Sequence, residues 1–291
     1  MLYDIRLAIE YAYDAPADGG RHVLRLLPRE IRGIQKVLEA TVECTPQPVE
    51  RAERRDFFGN AAVDIRYGEA VTRTGFVMRA RVERPAPVTM PAPALALADL
   101  AGDLAATRSL GPDSPHHFLP PSPRVPPDGA IAAWALGVTE GAGTVLEAAR
   151  RVCNALNDEM AFDPDFTAVD MPHADAFAAR RGVCQDFTHI MIGALRSLGI
   201  PAGYVSGFLR TLPPEGQSRL EGADAMHAWV RVWCGGKAGW AELDPTNRMD
   251  AGQDHVVVAH GRDYFDVAPV KGHLRLSGGQ TTTQSVDMVS V

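Results

Sequence analysis

Cys184 lies at the start of a predicted helix that runs to about Leu198, two residues after the turn residue Gly182. The unpaired N–H groups and the positive dipole at a helix N-terminus favour a thiolate, which is the nucleophilic form of cysteine. Free cysteines are also among the most buried residue types, and most are inert. Position alone therefore leaves catalysis and core packing both open for Cys184. We interpret Asp186, in the first turn, as a helix N-terminal hydrogen-bond acceptor.

His227 and Asp244 belong to a predicted β-hairpin, one near the start of the first strand and the other at the end of the second. Between the strands, Gly235-Gly236 suits a tight turn. If these two glycines form the turn, Cys234 opposes Lys237 and His227 directly opposes Asp244. Directly paired residues have Cβ atoms about 4.5–5.5 Å apart, so the carboxylate could orient the imidazole. A longer turn would shift this register.

Together these three residues supply the groups that covalent acyl transfer requires. Cys184 would attack a carbonyl carbon, and His227 would take the thiol proton and return it to the leaving amine. Asp244 would fix the ring tautomer and stabilise the imidazolium. The backbone N–H of Cys184, at the helix end, is a candidate oxyanion donor.

Two further residues have a functional and a structural interpretation. Trp229 shares a strand face with His227 by alternation, so it either lines a substrate cleft or fills the core. Arg262 could bind a substrate carboxylate, although an ion pair with Asp263 or Asp266 is the simpler interpretation. Both are retained as candidate substrate-binding residues.

The remaining histidines and glycine pairs do not indicate a metal or another cofactor. His116-His117 lies in a proline-rich segment and His255 on a predicted strand, without a second ligand cluster at metal spacing. The pairs Gly235-Gly236 and Gly278-Gly279 lack the context of a phosphate-binding loop. We therefore predict neither a metal nor an organic cofactor.

The first 84 residues are predicted to form antiparallel strands around one core. Four segments alternate apolar and polar residues, the period of a half-buried strand. Their apolar positions begin at Tyr3, Leu38, Val63 and Phe76. Strands with one polar face, closed over a single core, predict a small β-sandwich-like domain over residues 1–84.

A proline-rich connector is predicted over residues 85–127, followed by a mixed α and β segment over 128–291. Eleven of the 22 prolines fall between Pro85 and Pro127, which prevents long regular elements there. A short helix around 94–107 and a disordered linker are both open. Further on, Thr144 and Glu147 have capping-box spacing and predict a helix from Val145. The last eleven residues predict a terminal strand.

The composition is typical of a globular cytoplasmic protein. Hydrophobic residues make up 46% of the chain and the formal charge is −7, so a disordered chain and an electrostatic nucleic-acid binder are disfavoured. No apolar run is long enough for a membrane helix, and the first residues lack signal-peptide features. The four cysteines form no C-x-x-C motif, which favours a reducing compartment. The oligomeric state is left open.

Several motifs, in this order, resemble the bacterial transglutaminase-like superfamily, whose members are often described as cysteine proteases. The C-terminal set is Gly182-Val183-Cys184-Gln185-Asp186-Phe187, Gly199-Ile200-Pro201-Ala202, Tyr204-Val205-Ser206-Gly207, His227-Ala228-Trp229-Val230, Asp244-Pro245-Thr246-Asn247 and Gly261-Arg262-Asp263-Tyr264. Upstream, Leu26-Leu27-Pro28 and Asp56-Phe57-Phe58-Gly59-Asn60 are similar to the β-rich region that accompanies this core.

The resemblance implies an α+β fold: a papain-like core in which a helix bearing Cys184 packs on an antiparallel sheet bearing His227 and Asp244. These three residues would be its catalytic triad. The sequence departs from the pattern at Gly203, where arginine is common, and at His260, where an apolar residue is usual. Ala178 stands where papain-like proteases use a glutamine, so the second oxyanion donor is unassigned.

The leading functional hypothesis is a thiol-dependent enzyme that acts on amide bonds of a peptide or protein substrate. A protease or amidase transfers the acyl group of the thioester to water, whereas a transglutaminase transfers it to an amine. We favour hydrolysis, because cross-linking requires a site that excludes water. The alternative from another class is a non-catalytic binding or assembly module on the same fold. Neither nucleic acid nor a membrane is an expected partner.

Overall fold

The computed structural model describes the chain except for residues 87–92, 167, 169 and 212–224. Its strands are β1 (Leu2–Leu24), β2 (Lys36–Thr45), β3 (Glu50–Arg55), β4 (Ala61–Arg66), β5 (Val71–Glu83), β6 (Ala161–Phe162), β7 (Arg181–Gly182), β8 (Ala202–Leu209), β9 (Met226–Trp233), β10 (Trp240–Asp244), β11 (Met249–Asp250), β12 (His255–Gly261), β13 (Val270–Arg275) and β14 (Gln280–Ser290). Its helices are α1 (Leu100–Ala106), α2 (Gly129–Val138), α3 (Val145–Glu159), α4 (His173–Ala179), α5 (Cys184–Ser197) and α6 (Tyr264–Val267), with 3-10 turns at Leu97–Asp99 and Pro115–Phe118.

The long strand β1 organises the N-terminal sheet. Its first half pairs with β5 on one edge and β14 on the other, and its second half pairs in the same way with β4 and β13. The pairing with β5 is irregular between Ala12 and Ala17. Alternate residues of the first half, such as Tyr3 and Leu7, are buried, as the period-2 pattern predicts.

The C-terminal strands complete this N-terminal sheet. The predicted terminal strand is present as β14, and its partner along the whole of residues 280–290 is β1. The preceding strand β13 also pairs with β1. The division at residues 84 and 128 remains a prediction, but the sheet crosses it, because both ends of the chain contribute strands.

The second half of the chain places a helix layer on a five-stranded antiparallel sheet with the order β11-β10-β9-β8-β12. Helix α5 packs against β9 and β8, and α2 and α3 pack against α5. The predicted apolar face of α5 is buried, including Phe187, Ile190 and Met191. The predicted α+β arrangement is confirmed: an N-terminal antiparallel sheet is followed by a core in which the helix bearing Cys184 packs on an antiparallel sheet bearing His227 and Asp244.

The described part of the connector packs onto the sheet. The predicted short helix is α1, and Phe118 is fully buried beneath Gly203. A Cβ at Gly203 would lie 2.6 Å from Cδ1 of Phe118, so a side chain there would displace the ring. Glycine at position 203 therefore leaves the space that the buried Phe118 ring occupies. Residues 87–92 of the connector lie outside the described chain.

Two side-chain amides of the N-terminal region cover the edge strand β12. Gln35 accepts from the N–H of Val257 (2.8 Å) and donates to its carbonyl (2.7 Å). Asn60 binds the N–H (2.9 Å) and the carbonyl (2.7 Å) of His260 in the same way. Each amide replaces one residue of a neighbouring strand, so backbone groups of this buried edge are satisfied. Among the described helices, none is long and apolar enough to span a membrane.

Candidate active site

The nucleophile candidate is the first residue of α5, as predicted. Cys184 is half-buried, whereas Cys44, Cys153 and Cys234 are buried. The carboxylate of Asp186 accepts from the N–H of Val183 at 2.8 Å, which confirms its interpretation as a helix N-terminal acceptor. A Cβ at Gly182 would lie 2.6 Å from an oxygen of Asp186, so glycine allows the turn to close against the helix.

The hairpin register differs from the one that a two-residue turn would produce. Trp233 lies opposite Trp240, and the N–H of Cys234 donates to the carbonyl of Gly239 at 2.8 Å. The turn therefore contains four residues, Gly235–Ala238, and the predicted opposition of Cys234 and Lys237 is wrong. The longer-turn alternative is confirmed. A shift of two residues keeps every side chain on its face, because the side-chain period of a strand is two.

His227 still reaches Asp244 in the shifted register. Its Nε2 donates to Oδ2 of Asp244 at 2.7 Å. Burial alone would lower the pKa of His227, but hydrogen bonds to Asp244 and Cys184 and their negative charges raise it to about 10. Since Nε2 is used by Asp244, the remaining ring nitrogen, Nδ1, is the one available to the Cys184 thiol.

Asp244 is fully buried and surrounded by donors. Besides His227, its Oδ2 accepts from Nδ2 of Asn247 (2.8 Å) and Nε2 of His255 (3.1 Å). Its Oδ1 accepts from the N–H groups of Thr246 (3.0 Å) and Asn247 (3.2 Å). Burial opposes ionisation, but the hydrogen bonds from His227, His255 and Asn247 hold the pKa of Asp244 well below its usual range.

Sequence reasoning missed two of these donors. Asn247 follows Asp244 in one turn, and the preference of Asp and Asn for such turns is a signal that could have indicated it. His255 begins β12, at the far edge of the sheet from β10, so spacing carried no signal for it. The site also includes Tyr204, whose pKa is raised well above its usual value by burial and by the nearby Cys184.

Comparison with known proteins shows which family has this sequence and fold. Residues 132–245 match the transglutaminase-like superfamily, and residues 3–83 match the bacterial transglutaminase-like N-terminal region. The chain belongs to the transglutaminase-like superfamily. The five-stranded sheet and its helix layer are thus a transglutaminase-like core, a fold of the cysteine-protease-like or acyl-transfer type.

Relatives of this superfamily member are known from sequence and structure. Uncharacterized proteins of Mycobacterium tuberculosis and Mycobacterium leprae are 38% identical over 149 residues and 44% identical over 110 residues. These matches cover 50% and 38% of this chain, and 48% and 38% of the relatives, so the chain spans about half or less of their length. A "putative cysteine protease" from Cytophaga hutchinsonii has a TM-score of 0.76 at 22% identity, over 100% of this chain and 91% of that one. This likeness shows a shared fold.

The structure of the transglutaminase-like core argues against substrate contact by Trp229. Its side chain is 0% exposed, and its Nε1 donates to Oε2 of Glu242 at 2.8 Å. The indole stacks beside His227 with 6.1 Å between ring centroids and meets the edge of His255 at 5.1 Å. The prediction of a substrate-binding Trp229 is corrected: the residue packs behind the catalytic candidates, the core-filling alternative.

Arg262 forms the ion pair that was its structural interpretation, with Asp266 as the partner. Its guanidinium forms a two-point ion pair with Asp266, at 2.7 and 2.9 Å. This hydrogen-bonded partner raises the pKa of Arg262. Because both bonds occupy one edge of the guanidinium, the arrangement does not support its predicted role as a carboxylate clamp.

One group among the described residues brings three potential metal ligands together, which the sequence spacing did not indicate. Ligand atoms of His227, Asp244 and His255 lie within 4.8 Å of one another. However, Nδ1 of His255 accepts from the N–H of Gly252 at 3.2 Å, so its proton is on Nε2, the nitrogen that faces Asp244. A metal ligand must offer a lone pair there. The group as arranged is therefore a hydrogen-bonded network.

Proposed function

We propose that this chain is a thiol-dependent enzyme that hydrolyses amide bonds in peptides or proteins, with Cys184 as its nucleophile. One observation carries the proposal: the buried carboxylate of Asp244 holds Nε2 of His227 at 2.7 Å. The other ring nitrogen is left for a cysteine at a helix N-terminus. A nucleophile, a base and an orienting group in this order are the arrangement of cysteine and serine acyl-transfer sites.

In the proposed reaction, the thiolate of Cys184 attacks the substrate carbonyl carbon, and the backbone N–H of Cys184 donates to the developing oxyanion. The imidazolium of His227 then gives its Nδ1 proton to the leaving amine, which departs and leaves a thioester. His227, now neutral, takes a proton from water, and the hydroxide attacks the thioester to release the acid. Asp244 stabilises the imidazolium at each stage where it is charged.

Selective alkylation tests the nucleophile. Burial raises the pKa of Cys44, that of Cys234 to about 11 and that of Cys153 to about 12, so these thiols react slowly at low pH. With iodoacetamide at pH 6 and peptide mass mapping, Cys184 should be labelled far faster than the other three. His227→Gln should remove this advantage. Equal, slow labelling of all four cysteines would contradict the proposal and favour a non-catalytic binding module.

A turnover assay then separates water from an amine as acceptor. Purified protein is incubated with a peptide library, with and without a primary amine, and the products are identified by mass. A free acid in both samples supports hydrolysis. An amine adduct in the sample with the amine would instead show that the enzyme catalyses transamidation. Cys184→Ser should abolish either product, because a hydroxyl ionises far less readily than a thiol. Retained turnover would remove Cys184 from the nucleophile role.

A further inference from the structure

His255 is a second imidazole in contact with Asp244. It is 1% exposed, and its Nε2 lies 3.1 Å from the same oxygen, Oδ2, that accepts from His227. An edge-to-face contact with the indole of Trp229 fixes the plane of the His255 ring (5.1 Å between centroids, 74° between planes). Trp229 therefore packs against both imidazoles that meet Asp244.

The direction of the hydrogen bond follows from the other ring nitrogen. The N–H of Gly252 donates to Nδ1 of His255 at 3.2 Å, so Nδ1 must hold a lone pair. The proton is consequently on Nε2, and His255 is a donor to Asp244. A carboxylate rotates about a bond with broad torsional preferences, so its orientation depends on the donors around it.

The segment that carries His255 is held by the N-terminal region. The hydroxyl of Tyr3 donates to Asp254 at 2.8 Å, and the Arg84 guanidinium lies 3.4 Å from the carbonyl of Gly252. On the other side of His255, Gln35 binds both backbone groups of Val257. Contacts from three separate parts of the N-terminal region thus surround one residue of the site.

We propose that His255 is a positioning residue: its Nε2–H fixes the Asp244 carboxylate that orients His227, and through it the N-terminal sheet supports the catalytic geometry. This inference rests on the proposed function for its kinetic effect. Loss of the donor leaves Oδ2 with His227 and Asn247 alone, so the carboxylate and the imidazole gain freedom. Misplacement of a catalytic group by about 1 Å can cost on the order of 100-fold in rate.

The test compares His255→Leu, which removes the donor, with His255→Gln, whose side-chain amide can reach the same place. The buried His22 of the N-terminal sheet provides a matched control as His22→Leu. We expect His255→Leu to lower kcat by about 10–100-fold with little change in KM, and His255→Gln to retain most of the rate. An unchanged kcat in His255→Leu, or equal losses in the Leu and Gln variants, would overturn the proposal.

A second readout needs no turnover and separates this inference from the proposed function. In protein labelled with ¹⁵N in its imidazoles, NMR should show the His255 proton on Nε2, and His255→Leu should shift or broaden the Nε2–H signal of His227. A His255 proton on Nδ1, or an unchanged His227 signal in His255→Leu, would overturn the proposal even in an active enzyme. Failure of Cys184 as nucleophile would leave these signals unaffected.

Discussion

At the scale of single residues, Asp244 combines complete burial with ionisation. A buried carboxylate without partners would be costly, but here five hydrogen bonds surround it. All five partners donate, so the two side-chain oxygens of Asp244 must both be acceptors. Asp244 is therefore a residue at which a change of one atom should affect both stability and catalysis.

We expect Asp244→Asn to lower turnover by about 10–1000-fold, an extrapolation from serine-protease triads. If the new amide NH₂ occupies the place of Oδ2, it faces three donors, so the variant should also lose stability. The pKa of His227, which hydrogen bonding to Asp244 and Cys184 raises to about 10, should fall. The alkaline limb of the turnover profile should therefore move to lower pH. Turnover against pH and thermal unfolding are the measurements.

The matched control for this variant is Asp250→Asn. Asp250 lies on the neighbouring strand β11, and its exposed carboxylate forms an ion pair with Arg150 of α3. It should leave rate and stability nearly unchanged, because exposed ion pairs contribute about 0–1 kcal/mol. A folded Asp244→Asn enzyme with the wild-type rate and unchanged pH limbs would mean that Asp244 merely ends a strand.

The two pKa shifts also define where wild type should exceed Asp244→Asn in stability. The ionised Asp244 contributes stability above the unfolded carboxyl value of about 3.9, and the contribution is lost as pH falls. The protonated His227 contributes fully below its unfolded value of about 6.5, and its contribution is lost as pH rises through about 10. The difference in Tm should therefore be greatest between about pH 4 and pH 6.5.

At the scale of elements, close approach of strands and rings positions the imidazoles. The indole of Trp229 extends from β9 across Gly207 on β8, and a Cβ at Gly207 would lie 2.5 Å from its Cη2. The same Cβ would be closer still to the carbonyl oxygen of Val256 on β12. Both neighbours are buried, so neither can move without disturbing the sheet.

We predict that Gly207→Ala destabilises the protein by about 1–3 kcal/mol, the usual cost of overpacking, and lowers activity by displacing Trp229 from behind His227. The comparison is Gly137→Ala in α2, where a Cβ meets nothing within 4 Å. That change should be neutral or stabilise by up to about 1 kcal/mol, because alanine favours the helix. Urea unfolding of both variants measures the difference, and equal stabilities would contradict this account of Gly207.

At the scale of the whole molecule, the N-terminal region meets the five-stranded sheet at its edge strand β12. Gln35 makes two hydrogen bonds to Val257 while being almost fully buried. Removal of an amide from such a place leaves a backbone donor without a partner, which costs about 1–3 kcal/mol. The N-terminal sheet also needs the chain's last strands, β13 and β14, so it is not built from one continuous segment.

We therefore expect Gln35→Met, which keeps size but removes the amide, to lower the free energy of unfolding by about 1–3 kcal/mol. Gln47→Met, at an exposed loop position, provides the control and should change it by less than about 0.5 kcal/mol. Chemical denaturation measures both. A Gln35→Met protein as stable as wild type would show that the amide contacts contribute nothing to the packing of the two regions.

The features that could be predicted from the residues alone were local or nearly local. Alternation indicated the strands of the N-terminal sheet, the Gly182 turn placed Cys184 at a helix start, and His227 and Asp244 were assigned to one hairpin. These features depend on backbone propensity and on neighbours a few residues away. The family resemblance extended them to the fold, which the structure confirms.

Features that depend on distant neighbours could be seen only in the folded molecule. The four-residue turn set the hairpin register, the strands at 270–290 joined β1, and Trp229 was buried rather than exposed in a cleft. His255 reached Asp244 from another strand of the sheet. Sequence pattern reports which face a side chain occupies, but its contacts arise from packing between segments far apart in the chain. Those contacts surround the proposed catalytic carboxylate.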